Sequence, residues 1–184
     1  MASQGAVRTG APGWEQPLAL TLGIVALTAR APGRGAILLI CLVGLIGVMA
    51  PVRVSGSKAS PAVWLGATGL GMGAVGLVAG LGPSVALPVD LLGVTATLLA
   101  AVAEEAFFRR FLYGWLAPRG AFLAVVGAAV VFAVVHLPLY GPAALPLNLA
   151  AGLVFGWQRW VSGGWSAPAA THAMANLIGV GGLG

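Results

Sequence analysis

The chain has 184 residues, 59% of them hydrophobic and 7% charged, and nine basic against four acidic residues give a net charge of +5. Soluble domains carry about a quarter charged residues, so a soluble fold is excluded, and apolar runs of about 20 residues point instead to membrane-spanning helices. The basic residues stand singly at the ends of apolar runs, which excludes a nucleic-acid surface, and the one cysteine, Cys41, excludes an internal disulfide or a thiolate metal cluster.

Residues 1–13, rich in Gly, Ala and Ser, read as a disordered tail. The first apolar run then covers 14–29. Ala29 and Ala31 around Arg30 make a poor signal-cleavage site, so the run is expected to be a retained span. Further spans are predicted at 35–50, 62–81, 88–116, 120–138, 143–161 and 166–182, separated by short Pro-, Gly- and Arg-containing segments. Cys41, inside the second span, is expected to be a buried small apolar residue. The third span carries two small-xxx-small spacings, Gly69 to Gly73 and Gly76 to Gly80, which predict a close-packing helix.

The fold class expected is all-α, a polytopic membrane bundle of about seven transmembrane helices. It forms one integral membrane domain over 14–184, with no internal repeat and a catalytic core at about 88–182. With the N-terminus inside, the inner loops hold Arg8, Arg53, Lys58, Arg110, Arg119 and Arg159, and the outer side holds Arg30, Arg34 and Asp90. The positive-inside rule favours that orientation, hence a multi-pass protein of the cell membrane with a cytoplasmic N-terminus. All six tryptophans (Trp14, Trp64, Trp115, Trp157, Trp160, Trp165) fall near helix ends on the same inner side, as interfacial anchors do.

Two of the four acidic residues, Glu104 and Glu105, are adjacent in the middle of an apolar helix. A charge at the bilayer centre costs about 3 kcal/mol even on the lenient insertion scale, so such residues face an interior and usually serve function. Four residues apart on one helical face, Glu105 and Arg109 are placed to form an ion pair, while Glu104 points about 100° away and is expected to be free. The chain's two histidines, His136 and His172, are also inside apolar helices. Asn176 lies four residues after His172 and Phe132 four before His136, so each pair shares a face. Taken singly, each histidine reads as a satisfied core residue; with two glutamates, they read as a site.

Glu, His, His and Asn suffice for hydrolysis of a carbonyl substrate. A buried carboxylate beside a like charge can take a proton from water, with a histidine helping to hold that water. Asn and His can donate to the oxyanion that develops. No serine or cysteine stands beside a histidine in any nucleophile motif. No cofactor is expected, although Glu104, His136 and His172 are also a donor set for zinc with water in an open position.

Three segments then resemble a known pattern. Glu104, Glu105 and Arg109 fit EExxxR, Phe132 and His136 fit FxxxH, and His172 and Asn176 fit HxxxN. Their order, from Ala103 to Asn176, resembles the CPBP family of CAAX proteases and bacteriocin-processing enzymes, also called Abi. The resemblance implies a glutamate-dependent intramembrane endopeptidase with a cavity opening from the membrane interface. It further implies Glu104 as general base with His136 helping to activate water, an oxyanion site from His172 and Asn176, and Glu105 and Arg109 ordering the surroundings. Its partners would be the lipid bilayer and a peptide or protein substrate in or at the membrane, with no nucleic acid. A metalloprotease-like label belongs to the family, but the metal-free reading is preferred.

Depth is one expectation the spacing leaves open. At about 1.5 Å per residue, Glu104 lies about 16 Å below Trp115 and His172 about 10 Å below Trp165, whereas His136 lies about 24 Å from the inner end of its span. Tilt, or a fourth helix that leaves the membrane before Trp115, would close that gap. Two other classes remain open on residues alone: a non-catalytic membrane immunity or scaffolding protein, and a proton-coupled carrier built on the same buried Glu and His.

Overall fold

Apolar runs too long for turns and too rich in Ala, Leu and Val for caps leave the backbone one way to satisfy its polar groups in lipid, as helices. The computed structural model describes residues 13–30, 34–52, 59–80 and 91–181, and it is helical throughout with no strand among the described residues. In chain order these are α1 (Glu15–Thr28), α2 (Arg34–Met49), α3 (Pro61–Gly80) and α4 (Leu91–Glu105). A π-helical stretch (Ala106–Leu112), α5 (Tyr113–Leu116) and a 3-10 turn (Ala117–Arg119) continue α4 without a break. Then come α6 (Ala121–Val135), α7 (Leu137–Tyr140), α8 (Leu145–Ser162) and α9 (Ser166–Gly181). Residues 1–12 of the predicted tail, the loop charges Arg8, Arg53, Lys58 and Asp90, and span residues 81, 88–90 and 182 lie outside the described residues.

Each predicted span carries a helix. By length and composition three are long and apolar enough to cross a membrane, Pro61–Val78, Leu91–Arg119 and Ala121–Tyr140, and α1 and α2 are apolar but shorter. α8 holds polar residues in its interior face instead, because Gln158 and Arg159 are buried. Gln158 donates from Nε2 to Ala67 O at 2.9 Å and to Thr171 Oγ1 at 2.7 Å, and so joins α8 to α3 and α9. Arg159 donates to Arg109 O at 3.0 Å and lies over the Tyr113 ring. Arg110 donates to Gly47 O at 2.7 Å. Arg110 and Arg159 are thus interior ties between helices, a correction to their expected place in inner loops.

The most extensive packing is between α6 and α8, followed by α4 with α9 and α2 with α4. Between them lies a core built on Phe107, Phe108 and Phe111 from the π stretch, with Phe132 from α6 and Phe155 from α8. Their rings meet edge to face, Phe107 with Phe108 at 5.1 Å and Phe108 with Phe132 at 5.2 Å, the arrangement the ring quadrupole favours.

Two further expectations are corrected. Cys41 is exposed on α2; in a bundle surrounded by lipid an apolar residue has no need to face inward. On α3 the packing glycine is Gly71, where an added Cβ would lie 2.1 Å from Gln158 Nε2, while Gly69, Gly73 and Gly76 face open space. The helix turns its Ala67, Thr68 and Gly71 face to α8 and α9, which leaves the small-xxx-small pair Gly69 and Gly73 on the other side.

The depth gap closes because the fourth span does not end at Trp115. The span continues past Trp115 to Arg119, and Gly120, with φ 124°, makes the turn into α6. Glu104 and His136 each lie sixteen residues from Gly120 along antiparallel helices. They therefore arrive at one level.

Candidate active site

His136 stands where α6 must end. Pro138 has no N–H and disfavours helical backbone before it, and His136 is the residue at the break between α6 and α7. Its carbonyl accepts from Tyr140 N at 3.0 Å, and its ring stacks on the Tyr140 ring at 5.7 Å and 5°. Its Nδ1 lies 2.6 Å from Phe132 O. A carbonyl only accepts, so Nδ1 carries the proton and Nε2 of the neutral ring is an acceptor.

That Nε2 lies 3.4 Å from Glu104 Oε2 and 3.1 Å from Arg30 Nη2. Arg30 also donates from Nη1 to Glu104 Oε1. Glu104 is consequently not the free carboxylate that helix spacing suggests. It pairs with an arginine 74 residues away, on the segment after α1. Its other oxygen, Oε2, is buried with no hydrogen-bond partner among the described residues.

Glu105 and Arg109 form the expected pair at 3.1 Å, both fully buried. Arg109 also donates to Gly152 O at 3.1 Å, and its guanidinium is walled by the rings of Phe108, Phe132 and Phe155 at 4.9 to 5.5 Å. These are cation–π distances. His172 brings Nδ1 to within 2.9 Å of Glu105 Oε1 and stacks on Phe155 at 5.0 Å, which turns Nε2 toward Glu104 Oε2 at 4.0 Å. Phe132 touches both histidine rings, at 4.4 Å and 5.7 Å. Asn176 donates to Thr97 O at 3.2 Å.

Glu104, His136, His172 and Asn176 line one cavity of about 490 Å³, with Arg30, Thr97 and Tyr140 among its other walls. Volumes of that order hold small ligands or short peptide segments. The structure thus brings together Glu104, Glu105, Arg109, His136, His172 and Asn176. Sequence reasoning missed Arg30, Tyr140, Thr97 and Phe155. Tyr140 had a signal, since it is four residues beyond His136 and on its face; Arg30, counted as an outer loop charge, had none.

The donor set considered for zinc does not form a metal site as placed. Among the described residues no group of three His, Cys, Asp or Glu is arranged to hold an ion, and the Arg30 guanidinium stands against both Glu104 and His136.

Residues 86–178, half of the chain, match the family model described as type II CAAX prenyl endopeptidase, Rce1-like. The chain belongs to the Rce1-like family. No curated protein and no solved structure matches it. This Rce1-like chain is accordingly a membrane hydrolase, an endopeptidase of the CAAX type whose substrate is a membrane-associated protein. The Rce1-like match runs from just before α4 into α9 and contains all seven residues of the three motifs. Arg30, which holds Glu104, lies outside it.

Proposed function

We propose that the chain hydrolyses a peptide bond near the C-terminus of a prenylated membrane-associated protein, with Glu104 as general base. The observation that carries this reading is Glu104 Oε2, a buried carboxylate oxygen without a partner among the described residues, facing His136 Nε2 and His172 Nε2 across a polar part of the cavity. A water there would find an acceptor in Oε2, and a second in His136 Nε2 once the Arg30 N–H that occupies that nitrogen is displaced. Glu104 takes the water's proton as the oxygen attacks the scissile carbonyl, and later returns it to the leaving amine as the C–N bond breaks.

Asn176 and His172 serve the oxyanion in this reading. One N–H of the Asn176 amide is held by Thr97 O, which leaves the second for the substrate oxygen. With Nδ1 donating to Glu105, His172 donates from Nε2 in its doubly protonated form, and Glu105 then acts as its orienting counter-charge. Glu105, fixed by Arg109, thus positions His172. No step requires a metal. In this reading the protein lies in the cell membrane with its N-terminus in the cytoplasm.

Glu104→Gln keeps the side chain's size and removes its basicity. On a farnesylated C-terminal CAAX peptide in proteoliposomes, it is expected to lower kcat by about 10²- to 10⁴-fold, the contribution of a general base, with the unfolding midpoint retained. Full turnover in that variant, or loss of wild-type activity in a strong chelator together with stoichiometric zinc, would overturn the reading.

A further inference from the structure

Arg30 is the charged cavity residue that the proposed reaction leaves without a role. It follows Ala29, the C-cap of α1, and its side chain is 9% exposed. Among the described residues it is the one Lys or Arg side chain that lines the cavity. Nη1 donates to Glu104 Oε1 and Nη2 to the lone pair of His136 Nε2. One guanidinium therefore occupies an oxygen of the proposed base and the acceptor nitrogen of its partner.

A guanidinium presents two parallel N–H groups whose best-matched partner is a carboxylate taken by both oxygens. Glu104 offers it only Oε1, and the second N–H falls on an imidazole. The fork is paired but not matched. A second carboxylate entering the cavity is a better partner for it than the one it has.

The CAAX motif is a C-terminal one, so such a substrate carries a free α-carboxylate. With three extended residues beyond the cut, that carboxylate lies about 10 Å from the scissile carbonyl. Arg30 cannot be on Glu104, beside that carbonyl, and on the terminal carboxylate at once.

We propose that Arg30 is a specificity-determining residue that binds the free C-terminal carboxylate of the substrate and in doing so leaves Glu104 and His136. This rests on Glu104 being the base. Recognition of a chain end and release of the base are then one event, and a peptide without a terminal carboxylate leaves Arg30 in place. The cavity is selective without any wall having to exclude longer chains.

The test uses the full chain in proteoliposomes and two farnesylated peptides of one sequence, one ending in the free acid and one in the amide. Wild type is expected to prefer the acid by about 10- to 100-fold in kcat/KM, the scale of a charge-assisted pair. In Arg30→Gln the preference collapses to within about threefold, and the loss on the acid is carried by KM. Arg30→Lys, which keeps the charge without the fork, falls between. Equal cleavage of acid and amide by wild type overturns the proposal, as does full acid preference in Arg30→Gln. Loss of both activities in a folded Arg30→Gln also overturns it, since Arg30 then belongs to bond cleavage itself. Should Arg30→Gln not fold, wild type and Arg30→Lys decide on the same two peptides. Failure of the underlying reading shows elsewhere, as turnover retained in Glu104→Gln.

Discussion

Arg109 keeps a full positive charge where no solvent reaches it, and its neighbours divide the work. Glu105 supplies the counter-charge, Gly152 O a carbonyl, and three phenyl rings the walls. Glu105 in turn has His172 as its second partner, so its loss or release is felt at the cavity. Removing one member of a buried pair leaves an uncompensated charge and costs about 3–5 kcal/mol. Arg109→Met is therefore expected to lower the unfolding free energy by about that amount in detergent, measured by denaturant titration. Adding Glu105→Gln should recover a large part of it. Strictly additive losses would show that the two residues are not coupled. This pair was legible in sequence because both partners sit on one helix, four residues apart. The Arg30–Glu104 pair was not, because 74 residues and the packing of α1 separate its members, and no helical period relates them.

The π-helical stretch Ala106–Leu112 is the element that adapts α4 to its neighbours. Tyr113 N–H reaches Phe108 O, an i to i+5 bond, and such turns are frequent at functional sites. α-Helical counting across 98–113 could place Glu105 against Arg109 but could not show this change of period. α2 lies directly against it: a Cβ on Gly47 would meet Ala106 C and Phe107 N at 2.5 Å, while Gly47 O accepts from Arg110. Backbone on both sides leaves nothing flexible to yield. Gly47→Ala is expected to destabilise by about 1–3 kcal/mol, the cost of overpacking, and Gly73→Ala, which faces open space, to stay within about 0.5 kcal/mol. Unfolding midpoints of the two variants check this, and equal midpoints would refute the close approach of α2. The sequence marked both as glycines in apolar helices. Only the packing of α2 on the π stretch separates them.

For the whole molecule, orientation decides which side of the membrane the cavity serves. Several charges counted toward it are interior groups: Arg110 and Arg159 tie helices together, and Arg30 holds Glu104. The positive-inside rule counts loop charges, which leaves Arg8, Arg53, Lys58 and Arg119 on the proposed inner side against Arg34 and Asp90 on the other. The bias survives. The cavity walls Arg30, Ala36, Thr97, Tyr140 and Gly179 come from the helix ends opposite that inner side, so a cytoplasmic N-terminus places the cavity in the outer half of the bundle. In a Cys41→Ala background, a membrane-impermeant maleimide applied to intact cells is expected to label Leu91→Cys, at an exposed helix start, and to spare Ser60→Cys. Labelling of Ser60→Cys with protection of Leu91→Cys would invert the topology and turn the cavity toward the cytoplasm. The outcome sets the direction from which the substrate's C-terminus enters: with the N-terminus inside, the chain end must reach Arg30 from the outer leaflet side.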